Sequence, residues 1–143
     1  MTKVNKKITA GAVFVPFPMF NMGVYISVGE TDEVFKNKLM KVSKKLPYFE
    51  QRVEFEEIIN TLSLFSIHAD GYTAYNTNFS TVYIRVKEKL SYKTIPVLVH
   101  ECIHAVNRIF EIKGVKADNT NDELLAYSVD HCVEQVLKGF GFI

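Results

Sequence analysis

Two histidines four residues apart, with a glutamate directly after the first, are the residues whose types and spacing could do chemistry: His100, Glu101 and His104 in the run "TIPVLVHECIHAVNRIF" at 94–110. In a helix each residue advances about 100° around the axis, so His100 and His104 share one face about 6 Å apart along it. Two imidazole nitrogens so placed can reach one tetrahedral ion at roughly 2.0–2.1 Å, the zinc–nitrogen distance. Glu101 then leans beside the ion without binding it, a position that suits a base acting on a water held there. The competing reading is a pair of histidines that face solvent or lie hydrogen-bonded in the core. A single histidine would favour that reading. His-Glu-His at this spacing, in a chain with 4 histidines in all, favours a metal.

A catalytic zinc site generally takes three protein ligands and keeps one position open. Glu123 lies nineteen positions after His104 and begins "NDELLAYSVDHCVEQV", which a turn at Gly114 can fold back beside the first helix. Spacing alone leaves a second role equal, because "TNDE" at 120–123 fits a capping box in which Thr120 and Glu123 satisfy the free N–H groups of a helix start. Asp118, Asp122 and His131 are the substitutes.

The elements that must carry these residues are legible in the pattern of apolar positions. Ile95, Leu98, Val99, Cys102, Ile103, Val106 and Phe110 surround a helix over about 94–112, with Pro96 in its first turn and Gly114 stopping it. A last helix runs from near Thr120 to Lys138 and ends at Gly139. Upstream, "FSTVYIRVKE" alternates as a strand with Val82, Ile84 and Val86 on one face, and "HADGYTAYNTN" before it reads as a loop or hairpin. A helix over about 55–67 is expected from "FEEIINTLSLFSI". Another follows Gly29, where Val34, Phe35, Leu39, Val42 and Leu46 fall at helical spacing, Thr31 or Asp32 caps the start and Pro47 ends it. Residues 8–28 are apolar and β-branched or aromatic, one or two strands ending in "GVYISV".

The chain has 143 residues, one domain in size and long enough to bury a core without obligatory metals or disulfides. Its 17 basic and 16 acidic residues nearly cancel, so bulk charge offers no reason to expect nucleic acid or an acidic membrane as partner. Cys102 and Cys132 both fall on helical segments and read as free buried thiols. Lys3, Lys6 and Lys7 before "ITAGAVFVPFPMF" have a flavour of secretory signal, but Pro16 and Pro18 interrupt the apolar run and no small-x-small site follows. We read the segment as an early strand or extended arm, and expect a cytoplasmic protein without a membrane span.

The residues "VHECIH" and "DELLAY" resemble those of the gluzincin-type zinc metallopeptidases, in which an HExxH helix supplies two ligands and a glutamate on a following helix the third. Over about 79–138 the chain also resembles the minimal zincin-like proteins encoded by phages and mobile elements. The resemblance implies zinc held by His100, His104 and Glu123, with Glu101 as general base. It implies an α+β fold in which a small mixed sheet packs on the HExxH helix and a following C-terminal helix, with the strand around 79–87 lying beside an extended peptide. Larger gluzincins often carry an acidic residue four positions after the glutamate ligand, where this chain has Tyr127. Tyr127 could instead donate a hydrogen bond to a developing oxyanion, or pack as an aromatic at the core edge. His68, Tyr72, Tyr75 and His131 are further donors, and Asp130 a carboxylate partner for a ligating histidine. Peptide deformylase shares HExxH, but its upstream cysteine ligand has no counterpart, since no cysteine precedes the motif. The function these features imply is a zinc-dependent hydrolase, a small metallopeptidase acting on a peptide or protein. Its small size, without the separate domain that supplies oxyanion groups in large gluzincins, motivates the rival: a zinc-stabilised binding or phage accessory protein with little catalytic power.

Overall fold

The computed structural model describes residues 7–64 and 69–143. Among them the fold is α+β, with four helices and a four-stranded mixed sheet. Strand β1 (Gly11–Phe17) turns through a single 3-10 turn at Pro18–Phe20 into β2 (Met22–Val28), its antiparallel partner. Asn21 closes that turn in the left-handed region at φ 52°. Helices α1 (Asp32–Ser43) and α2 (Phe49–Leu64) follow, then β3 (Gly71–Ala74), β4 (Thr81–Val86), α3 (Ile95–Ile112) and α4 (Asp122–Gly139).

The sheet order is β1-β2-β4-β3, with β2 and β4 parallel and β3 antiparallel to β4. Period-two alternation along the strands decides which layer each side chain meets. Val24, Ile26 and Val28 of β2 and Val82, Ile84 and Val86 of β4 pack against Leu98, Cys102 and Ile109 of α3 and Val136 of α4. Tyr25 and Tyr83 turn the other way, onto Phe35 and Leu39 of α1 and Phe55, Ile58 and Leu62 of α2. The sheet is therefore covered on both faces, which is why β2 is buried almost throughout instead of alternating.

A polar cluster ties the α1–α2 layer to the ends of β2 and β4. Arg85, buried at 2% exposure, donates to the carbonyls of Leu62 (3.1 Å) and Glu30 (3.2 Å) and pairs with Asp32 at 2.5 Å. Glu30 accepts from Ser27 Oγ at 2.7 Å and pairs with Lys38. The Thr31 side chain caps α1, accepting from the Val34 N–H at 3.2 Å.

Two features of the described residues differ from the sequence reading, and one expectation falls outside them. Helix α2 begins at Phe49 rather than near 55, because Tyr48, Phe49 and Val53 point outward and leave its first turns without an apolar stripe. The expected end of that helix at 65–67, together with His68 and most of the lysine-rich N-terminus, lies outside the described residues. Strand β4 is interior, paired with β2 on one side and β3 on the other, so the strand at 79–87 has no side left for a peptide. The outer position beside α3 belongs to the four-residue β3. No helix among the described residues is long and apolar enough to cross a membrane.

Candidate metal centre

Helix α3 starts where Thr94 Oγ1 accepts the Ser91 N–H at 2.7 Å and lies 2.9 Å from the Lys89 carbonyl; Pro96 occupies the first turn, where a missing N–H leaves no bond unmade. Leu98, Cys102, Ala105 and Ile109, at successive turns, press this helix onto the sheet. That fixes the rotation of α3. Glu101 is carried to the β3 side while His100 and His104 stay solvent-accessible above it.

The two imidazoles converge. His100 Nε2 and His104 Nε2 are 3.1 Å apart, with ring centroids at 4.7 Å and planes at 79°. Two nitrogens bound to one zinc at about 2.0–2.1 Å with a tetrahedral angle stand about 3.3 Å apart, so the observed separation fits a shared ion. One ligand atom from each of His100, Glu101 and His104 falls within 4.8 Å of the others. This His-Glu-His cluster could hold a metal ion.

Glu101 is 4% exposed. Burial raises its pKa above the ordinary carboxyl value, partly offset by His104, His100 and a hydrogen bond from Thr73. Thr73 Oγ1 lies 3.3 Å from Glu101 Oε2 and 3.2 Å from the Glu101 carbonyl, and its single proton serves one of them at a time. Gly71, two residues earlier on β3, leaves room for this contact: a Cβ there would stand 2.9 Å from both Glu101 Cγ and Val97 Cγ1. Beside the pair opens a cleft of about 260 Å³ bordered by Tyr72, Thr73, Tyr75, Glu101, His104 and Arg108. Arg108 lies over the Tyr75 ring, 5.6 Å from its centroid, and pairs with Glu111 at 2.5 Å.

The other expected site residues are placed elsewhere. Glu123 is exposed in the first turn of α4 and is not part of the His-Glu-His cluster. Nor does it form the capping box: Asn121 is the N-cap without a side-chain bond, the Thr120 N–H goes to Asp118 Oδ1 and the Glu123 N–H to Asp122 Oδ1, both at 2.9 Å. Helix α4 buries Ser128, Cys132 and Val136 and runs along the β1 side of the sheet, where Gly139 meets Val13 and His131 meets Phe17 edge-on at 5.3 Å. Tyr127, 67% exposed, borders a separate apolar cleft with Pro16, Met19 and His131. Of the suggested hydrogen-bond donors, Tyr72 and Tyr75 share the cleft of Glu101, whereas Tyr127 and His131 do not. Cys102 and Cys132 are free, buried thiols that face each other between α3 and α4, and the hydrogen bond with the Cys132 sulfur, together with burial, pushes the Cys102 pKa up.

Sequence reasoning missed Gly71, Thr73 and Arg108. Arg108, four positions after His104, was available from helical spacing. Nothing local in "GYTA" announces that it will lie against Glu101. No family model matches the chain, and no curated protein or solved structure matches it.

Proposed function

We propose that the chain is a small zinc-dependent hydrolase, a zincin-like peptidase, in which His100 and His104 hold the ion and Glu101 is the general base. The observation that carries the reading is the 3.1 Å approach of two Nε2 atoms on one helix face with a buried carboxylate directly beside them. When bound, zinc supplies a Lewis acid for the substrate carbonyl and a water whose pKa falls toward about 7. Glu101, desolvated and therefore a stronger base than an exposed glutamate, takes a proton from water and returns it to the leaving amine. Thr73 orients it. Tyr75 and Arg108 border the cleft beside Glu101 and would supply the hydrogen bonds to the substrate oxygen for which Tyr127 was a candidate in the sequence.

Substrate alignment falls to β3 in this reading. The Lys87 N–H bonds the Asp70 carbonyl at 2.9 Å, so in the antiparallel register Asp70, Tyr72 and Ala74 turn their backbone groups toward β4. Gly71 and Thr73 turn theirs outward, beside Glu101, where an extended peptide can pair with them.

A second reading is favoured by the membership of the cluster, whose third group is Glu101 itself rather than Glu123. With Glu101 as a ligand no base remains, and the chain is a zinc-stabilised binding module. Zinc content and peptide cleavage of the Glu101→Gln variant separate the two. The peptidase reading predicts one zinc per chain and loss of cleavage by at least about 100-fold, the usual scale for removing a general base. A variant that loses its zinc, or a zinc-loaded wild type that cleaves nothing in a mixed peptide library, contradicts it. Glu123→Gln is the companion variant: a fall in zinc affinity of about 10- to 100-fold supports the ligand that the gluzincin resemblance implies, and unchanged affinity removes it.

A further inference from the structure

On the other side of β3 from Glu101 lies a second cleft, of about 270 Å³, between β3 and α2. Its floor is apolar, formed by Ile58 and Ala74, both buried. Glu54 and Glu57 of α2 stand in its wall, with Thr61 one turn further and Tyr72 opposite. Glu54 accepts from Asn78 Nδ2, 3.1 Å from each carboxylate oxygen, a neutral donor that leaves the charge in place. Among the described residues neither Glu54 nor Glu57 has an ion-pair partner.

The two clefts flank the same four-residue strand, and strand alternation links them. Thr73 directs its side chain to Glu101 on the α3 side, whereas Ala74 packs with Phe55 and Ile58 on the α2 side. A peptide laid along β3 repeats that alternation: a side chain beside Thr73 points to the histidine cluster, and its immediate neighbours point to α2. We infer that the α2-side cleft is a specificity subsite for a lysine or arginine in an extended peptide, adjacent to the residue presented to the metal cluster. The aliphatic stem of such a side chain lies on Ile58 and Ala74, and its cationic head meets Glu54 and Glu57. An acidic side chain in the same place meets two uncompensated negative charges, so the cleft selects both for and against.

The inference rests on the peptidase reading for the position of the peptide, but its test does not need turnover. Zinc-loaded Glu101→Gln protein is titrated with two fluorescein-labelled probes, Ala-Val-Lys-Val-Ala and Ala-Val-Glu-Val-Ala, followed by anisotropy and by the amide shifts of Gly71 and Thr73. The lysine probe binds about tenfold more tightly, a difference of about 1.4 kcal/mol, with the shifts centred on β3. Adding salt narrows the gap, and the further changes Glu54→Gln, at a half-buried position, and Glu57→Gln, at an exposed one, bring the probes within about twofold. Equal affinities, a preference that survives both substitutions, or no binding of either probe overturns the subsite. Selective binding with no cleavage by the wild type would sink the peptidase reading and leave the subsite standing; cleavage of both probes at equal rates does the reverse.

Discussion

Glu101 is the residue on which the proposed chemistry and the stability of the fold meet. Its carboxyl is buried and its pKa raised, so the metal-free fold binds that proton more tightly than the unfolded chain does. The stability it contributes is fully present below the unfolded value of about 4.3 and is lost as pH rises through the raised folded value. In metal-free protein, Glu101→Gln should therefore be the more stable form at pH 7, with the difference closing near pH 4. Denaturant midpoints across that range measure it, and a variant less stable at every pH contradicts the burial argument. Gly71 offers a steric counterpart. An alanine there forces a methyl into Glu101 and Val97, and should cost about 1–3 kcal/mol by overpacking while lowering any cleavage activity more than proportionately. Full activity in Gly71→Ala would show that Glu101 does not depend on the close approach of β3.

At the scale of elements, the clearest consequence concerns the α1–α2 side of the sheet. Tyr25 and Tyr83 sit on parallel strands with ring centroids 5.9 Å apart, and burial pushes each phenol up to about 12, Glu30 adding to the effect at Tyr25. Raised values mean that their contribution is intact below pH 10 and is lost between about 10 and 12. An ultraviolet titration should show two of the 7 tyrosines ionising late, together with unfolding of the sheet. Ionisation of Tyr25 and Tyr83 near the ordinary phenol value, shown by comparison with Tyr25→Phe and Tyr83→Phe, would contradict that packing. The same scale shows what could be read beforehand. Val82, Ile84 and Val86 announced a strand, and Leu98, Cys102 and Ile109 a helix, because each pattern is local. Strand order was not legible: β3 spans four residues and takes the outer place through pairing with β4, which no local pattern encodes. Glu123 lies outside the His-Glu-His cluster for a similar reason. Spacing brings α4 beside α3, but the burial of Ser128, Cys132 and Val136 decides which flank it covers, and that flank is the β1 side.

For the whole molecule, the proposed metal would be coupled to the fold by mass action, since an ion that binds only the native state stabilises it by RT ln(1 + [L]/Kd). At a zinc concentration 100 times Kd the gain is about 2.7 kcal/mol, a melting shift of roughly 5–10 °C for a chain of this size. Because His100 and His104 are exposed, replacing either with alanine should move the metal-free melting temperature little and abolish the zinc-dependent rise. The convergence of their two nitrogens was foreseeable from four-residue spacing; the edge strand, the oriented carboxylate and the paired clefts around them were not, because they are made by tertiary contact. Calorimetric titration of the metal-free protein with zinc, run in parallel on His100→Ala and His104→Ala, tests the central claim most directly. The account predicts one ion per wild-type chain and an affinity lower by at least about 100-fold in each variant; binding below one equivalent, or affinity unchanged in both variants, contradicts it.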